Sequence, residues 1–170
     1  MEPTSSPIAF MVIGALYITI GVLSSAGSVY LSKSLLSAKV EQTFFGLFLT
    51  PIAGFYLAFT AYFGDRDAWQ LEAMAVAVFA GLGVVGVRVP FALIAGYLLH
   101  GLWDALHEFN AHAGSSLLGA RQTTSVPLAY GFFCATYDFL MATYFYTRRK
   151  LWHSAWSATA PVTPSGKNRE

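Results

Sequence analysis

Ionisable side chains with a helical spacing are concentrated in one apolar segment late in the 170-residue chain. The segment reads YLLHGLWDALHEF, and it places Asp104 four residues after His100 and His107 three residues after that. Positions three and four apart share a face of an α-helix, so these side chains form one polar stripe. Glu108 lies four residues after Asp104 and widens the stripe. The next apolar segment carries a further carboxylate, Asp138.

Imidazole and carboxylate groups are the ligands that zinc and iron(II) take in proteins. We therefore predict a divalent metal site, with zinc or iron as the ion, in which the ligands are His100, Asp104, His107 and Asp138. Glu108 would serve as the acid and base that moves protons to and from a metal-activated water. Trp103 and Tyr137 would form walls of the substrate pocket.

The same residue types allow two other interpretations. Without a metal they could relay protons, because histidine titrates near neutral pH. They could also form a hydrogen-bonded polar core that holds two helices together. Three functions therefore stay open: a metal-binding membrane protein, with or without enzymatic action on a lipid-soluble substrate, a non-catalytic accessory subunit of a larger membrane complex, and a proton-coupled carrier.

The composition indicates which elements position these residues. Hydrophobic residues make up 55% of the chain and charged residues only 11%, whereas a soluble domain carries about 25% charged residues. A chain this short must cover a large surface, so we predict that its solvent is the lipid bilayer. A net charge of +1 argues against nucleic acid as a partner, because phosphate binding needs clustered basic residues. The single cysteine, Cys134, excludes an internal disulfide.

Five segments are long and apolar enough for transmembrane helices, which need about 20 residues. They cover residues 8–30, 43–63, 69–87, 89–109 and 126–147. The sequence thus predicts an all-α polytopic membrane protein with five transmembrane helices in a single domain over residues 1–153. Residues 154–170 are rich in Ser, Thr and Pro, so we predict a disordered cytoplasmic tail. The protein would act alone, as a homo-oligomer or within a larger membrane complex.

Basic residues in the connections predict the orientation of these helices. Five crossings place six basic residues on one side: Lys33, Lys39, Arg88, Arg148, Arg149 and Lys150. The opposite side has only Arg66 and Arg121. Because cytoplasmic loops carry the excess of Lys and Arg, we predict an N-terminus outside and a C-terminus in the cytoplasm.

Depth in the bilayer predicts a partner for the central residues. His100 and Asp138 both lie about half-way along antiparallel neighbouring spans, near the bilayer midplane. An ionisable residue at that depth costs about 2.5–3.5 kcal/mol on insertion scales, so it should face the interior of the bundle. We expect these two side chains to pair with each other.

Three glycines in the third span form a literal GxGxxG sequence, at Gly81, Gly83 and Gly86. A dinucleotide-binding fingerprint requires a preceding β-strand and a following helix outside the membrane. Here the glycines close an apolar segment, so we interpret them as sites of close helix packing or as a loosened helix end.

The polar residues of the last two spans also resemble a known pattern. The sequence contains HxxWDxxHE, then Pro127 and Gly131, and then CxxYD ending at Asp138. This arrangement over residues 89–146 resembles a family of small bacterial membrane proteins catalogued as a domain of unknown function. The chain has Glu108 where a second histidine is expected in that family. The resemblance implies that these polar residues are the family's shared feature. From it and the five apolar spans, we predict a multi-pass protein of the bacterial inner membrane. The resemblance implies no reaction.

Overall fold

The computed structural model describes residues 7–112 and 123–158, and over these ranges the chain is built from helices without β-strands. The helices are α1 (Pro7–Leu35), α2 (Ala38–Phe63), a short 3-10 helix (Arg66–Ala68), α3 (Trp69–Gly86), α4 (Pro90–His112) and α5 (Tyr130–Ser157). The stretch predicted as a tail begins inside α5, and residues 159–170 lie outside the described part of the chain. The connection at 113–122, which includes Arg121, also lies outside it.

Local signals explain several helix boundaries. α2 ends at Phe63 and is capped by Gly64, whose backbone has a left-handed φ of 73° and whose N–H donates to the carbonyl of Thr60. Glycine is favoured at this position because it has no Cβ to clash. α4 begins at Pro90. Proline suits the first helical position because it has no backbone N–H, and an N–H at this position would find no partner within the helix. Short connections between α1, α2, α3 and α4 make these successive helices antiparallel.

Three stretches are long and apolar enough to cross a membrane: Ile8–Leu35, Ala38–Phe63 and Arg66–Gly86. α4 and α5, which we predicted as the fourth and fifth crossings, are not among them. Polar side chains such as His100, Asp104 and Asp138 lower the mean hydropathy of these two helices.

The helices pack in an order that differs from their order in the chain. α4 runs along α5, α1 covers α5 on another side, and α3 packs between α2 and α4, while α2 also contacts α4 and α5. At the α2–α3 contact, Gly46 and Gly83 approach so closely that a Cβ on either would meet the carbonyl oxygen of the other. A Cβ on Gly86 would lie 3.0 Å from the Cβ of Leu93. Gly81 faces open space, so the packing interpretation holds for two of the three GxGxxG glycines.

The distribution of side chains is inverted relative to that of a soluble domain. Large apolar residues on the outer surface are more than half exposed, including Met11, Leu23, Val78, Phe91 and Leu102. The buried residues include an apolar core around Leu49, Leu93, Tyr97, Met141 and Phe145, together with seven ionisable side chains: Glu41, Glu72, His100, Asp104, His107, Glu108 and Asp138. In a soluble domain, charged residues are almost never fully buried unless they are paired.

The two ends of the bundle differ in charge. At one end, which we call the basic end, Arg148 binds Glu41 through Nε and Nη2 at 3.0 and 2.9 Å. Arg88 lies 3.9 Å from the centroid of the Trp156 ring, and Lys39 lies 5.1 Å from the same centroid. At the opposite end, which we call the acidic end, Asp65, Glu72 and Glu108 bind the segment before α5.

Candidate metal centre

Three side chains from α4 and α5 meet inside the bundle. Nδ1 of His100 lies 2.6 Å from Oδ2 of Asp138 and 3.1 Å from Oδ2 of Asp104. One potential ligand atom from each of the three residues lies within 4.8 Å of the others. The pairing expected from depth is therefore present. We call His100, Asp104 and Asp138 the central triad.

Glycine and aromatic residues shape the surroundings of the central triad. A Cβ on Gly101 would lie 3.2 Å from the Cβ of Asp138, so the absence of a side chain lets α4 approach α5 at this level. From α2, the Tyr56 hydroxyl donates a hydrogen bond to Oδ1 of Asp104. From α3, the Phe79 ring lies edge-on to His100 with 4.9 Å between the centroids. All members of the triad are 2% exposed or less.

Two buried polar atoms of the triad have no hydrogen-bond partner among the described residues: Nε2 of His100 and Oδ2 of Asp104. The second atom lies near Nδ1 of His100, but that nitrogen carries at most one hydrogen, and the shorter contact with Asp138 takes it. Leaving a buried polar atom unsatisfied costs about 1–3 kcal/mol. The triad thus has binding capacity that the protein itself does not use.

His107, a predicted ligand, belongs to a different cluster. Its Nε2 lies 2.8 Å from Oε1 of Glu72, and its Nδ1 lies 2.9 Å from the carbonyl oxygen of Trp103. A carbonyl oxygen can only accept, so Nδ1 carries a hydrogen and Nε2 shares one proton with Glu72. Both nitrogens are occupied, and the structure does not bring His107 into the central triad.

Glu108, the predicted acid and base, contacts the start of α5. Its Oε1 accepts the Ala129 N–H at 3.0 Å and its Oε2 accepts the Gly131 N–H at 2.9 Å. Ala129 has a left-handed φ of 63°, which is unfavourable for a residue with a Cβ. A carboxylate at a helix N-terminus is stabilised by the unpaired N–H groups and by the helix dipole. In this conformation Glu108 holds α5 in place.

The two predicted pocket residues point to different neighbours. Trp103 donates its indole N–H to Oε2 of Glu72 at 3.3 Å, and Tyr137 donates its hydroxyl to Ser28 of α1 at 3.1 Å. Their polar atoms therefore connect α4 to α3 and α5 to α1. Tyr137 lies next to Asp138 in sequence, but the successive positions project in different directions from the helix.

Sequence reasoning did not identify Glu72 as the partner of His107, or Tyr56 as a neighbour of the central triad. Glu72 was noticeable as the only acidic residue in its apolar segment, and such a residue is expected to find a buried partner. Besides His107 and Trp103, it accepts the backbone N–H of Thr124 at 2.9 Å. Tyr56 carried no signal, because the chain contains nine tyrosines and many of them lie in apolar segments.

Comparison with known proteins identifies the family. The chain belongs to DUF6010, a family of unknown function whose model matches residues 16–150. The match includes all of α2, α3 and α4 and most of α1 and α5, so it is longer than the resemblance over residues 89–146. No curated protein and no solved structure matches the chain.

Proposed function

We propose that this member of DUF6010 is a membrane protein of five crossings that binds a divalent metal ion between α4 and α5. The ligands would be His100, Asp104 and Asp138. The observation that carries the proposal is the pair of buried, unpartnered atoms in the triad, Nε2 of His100 and Oδ2 of Asp104. A cation held by the carboxylates would give Oδ2 of Asp104 a partner, and it would reach Nε2 of His100 through a water molecule or after a flip of the ring, because both carboxylates contact the ring at Nδ1.

The outer face of α4 supports the proposal of five crossings. On α4 the exposed large residues are apolar, among them Phe91, Leu98, Leu102 and Phe109. The ionisable side chains of the α4 stripe, from His100 to Glu108, are buried against its neighbours. Such a helix can face lipid, because the polar side chains lie in the protein interior. The basic end would then lie in the cytoplasm and the start of α1 outside.

The donor set supports zinc or iron(II). One imidazole and two carboxylates are hard and borderline ligands of the kind that both ions accept. The hydroxyl of Tyr56 would orient Asp104 through its hydrogen bond, as the outer partners of metal ligands commonly do. When bound, a divalent ion would supply Lewis acidity for a reaction at this position.

Burial favours ion binding over catalysis as the basic function. The central triad is almost completely covered by α2, α3, α4 and α5, so a lipid-soluble substrate would reach it only if these helices separated. The proposal is therefore metal binding, with an enzymatic reaction on a lipid-soluble substrate as its extension.

A non-catalytic accessory subunit is the second candidate. It is supported by Glu41, a buried carboxylate that accepts hydrogen bonds from Tyr144, Arg148 and Trp152. This cluster joins α2 to α5 and uses both carboxylate oxygens. It shows that buried polar groups in this protein do connect helices, and the triad could serve the same purpose.

Metal content distinguishes the two candidates. The protein would be purified in detergent without chelators, incubated with zinc or iron(II), freed of excess ion and analysed for bound metal. His100→Gln and His107→Gln form a matched pair, because both histidines are buried on the same helix and only His100 belongs to the triad. We expect near-stoichiometric metal in wild type and His107→Gln, and loss of metal in His100→Gln and Asp138→Asn.

The alternative outcomes are equally informative. Wild-type protein without bound metal would refute the metal proposal and favour the accessory subunit. Equal loss in His107→Gln would show that the ligand set is wrong. If His107→Gln fails to fold because the Glu72 carboxylate loses its imidazole partner, the double variant His107→Gln/Glu72→Gln removes that charge and keeps the comparison valid.

A further inference from the structure

A groove of about 450 Å³ opens at the basic end of the bundle, away from the central triad. It lies between the start of α4 and the last turns of α5. The first turn of α4 contributes Pro90 and Phe91, and α5 contributes Arg149, Lys150, His153 and Ser154. None of these six residues is acidic.

The groove is electropositive for two reasons. Arg149 and Lys150 contribute basic side chains to its lining. The N-terminus of α4 adds the partial positive charge of a helix dipole. Arg149 is held over the Tyr146 ring, 3.5 Å from its centroid, and donates to the Tyr146 carbonyl oxygen. A guanidinium has five N–H donors, so this contact leaves others for a ligand.

Apolar residues line one side of the same groove. They are Pro90 and Phe91, and Phe91 is 63% exposed. Cationic and hydroxyl donors therefore lie next to an apolar surface at the end of the helices. A ligand that fits this surface has an anionic group at one end and a hydrocarbon part at the other.

We propose that the groove binds an anionic phospholipid. The headgroup phosphate would lie between Arg149, Lys150 and the start of α4, and an acyl chain would lie along Phe91. Basic groups beside membrane helices on the cytoplasmic side attract anionic headgroups. The inference rests on the membrane placement in the proposed function, and it does not depend on the metal.

The test uses full-length protein in neutral detergent and two lipids, phosphatidylglycerol and phosphatidylcholine. Bound lipid is counted by native mass spectrometry as the concentration of each lipid is raised. Lys150→Gln is compared with Lys33→Gln, because both lysines are exposed at the basic end and only Lys150 lines the groove. Both variants have the same net charge. We expect Lys150→Gln to weaken phosphatidylglycerol binding about fivefold and Lys33→Gln to leave it unchanged.

Three outcomes would overturn this proposal. Equal binding of phosphatidylcholine would show that the headgroup charge is not recognised. Equal weakening by Lys33→Gln would show that general surface charge attracts the lipid. Displacement of the lipid by inorganic phosphate would show that the groove takes a free anion. His100→Gln should keep wild-type lipid binding, so a failure here is distinguishable from a failure of the metal site.

Discussion

Removing His100 and Asp138 together would reveal whether their pairing serves binding or holds α4 against α5. We consider the single variants His100→Leu and Asp138→Val and the double variant that combines them. Each substitution is apolar and close in volume to the residue it replaces, which limits packing strain. The three variants and the wild type are compared without metal, so that the stability of the protein fold alone is measured.

The structure sets the expected magnitudes. Each single variant removes one partner of a buried contact of 2.6 Å, which costs about 3–5 kcal/mol because the other partner is left buried and unpaired. The double variant removes both members of the pair, so neither is left buried without the other. It also removes the imidazole ring of His100 and with it the unpartnered Nε2 atom. Asp104 keeps its hydrogen bond from Tyr56, and the loss of its 3.1 Å contact with Nδ1 of His100 accounts for the remaining cost of the double variant. We therefore expect the double variant to lie within about 2 kcal/mol of metal-free wild type, far from the sum of the two single effects.

Thermal unfolding in detergent with a chelator, followed by circular dichroism, measures these differences. A chain of this size shifts by about 2–4 °C per kcal/mol, so each single variant should unfold about 6–20 °C below wild type. The double variant should unfold close to wild type. Metal at a hundredfold excess over its dissociation constant should then stabilise wild type by about 2.7 kcal/mol and leave the double variant unchanged.

An additive result would refute this reasoning. If the double variant loses as much stability as the two single variants combined, the two residues act independently and their contact contributes nothing measurable. A double variant that unfolds at the same temperature as the single variants would show that the pair holds the helices together and that the triad is a structural core. The measurement needs no assumption about the identity of the metal.

Three further predictions concern the rest of the bundle. Gly83→Ala should lower the stability by about 1–3 kcal/mol in thermal unfolding, because its Cβ meets the α2 backbone, whereas Gly81→Ala should not. Glu41→Gln should cost about 1–3 kcal/mol by the same measurement, because it leaves the partly buried Arg148 guanidinium without its carboxylate partner; an unchanged midpoint would contradict this. In a background without the native cysteine, Arg66→Cys should react with an impermeant maleimide added to intact cells, and Lys39→Cys only after permeabilisation; the reverse would invert the topology.

Local sequence information was sufficient to predict the helices and one contact between them, the pairing of His100 with Asp138. Apolar segments of sufficient length predict helices, because a backbone in an apolar environment must satisfy its hydrogen bonds within the segment. The pairing of His100 with Asp138 followed from depth, because antiparallel neighbours bring residues half-way along each span to the same level. The family match over residues 16–150 agrees with the resemblance to a domain of unknown function and extends it.

Tertiary packing decided which residues of the α4 stripe act together. His100 and His107 lie on one polar face, but α5 covers the first and α3 provides the partner of the second. A helix face wide enough for four polar residues touches more than one neighbour, and spacing along the chain cannot say which neighbour meets which residue. The role of Glu108 depended on how the segment before α5 folds back.

The remaining contributions to the site came from helices distant in the sequence. Tyr56 of α2 and Phe79 of α3 surround the triad, and Glu72 takes the proton-sharing contact with His107. Such contacts depend on the rotation of each helix about its axis and on the close approaches that glycines such as Gly46 and Gly83 permit. Helix rotation is set by packing over the whole interface, so the composition of any single segment cannot determine it.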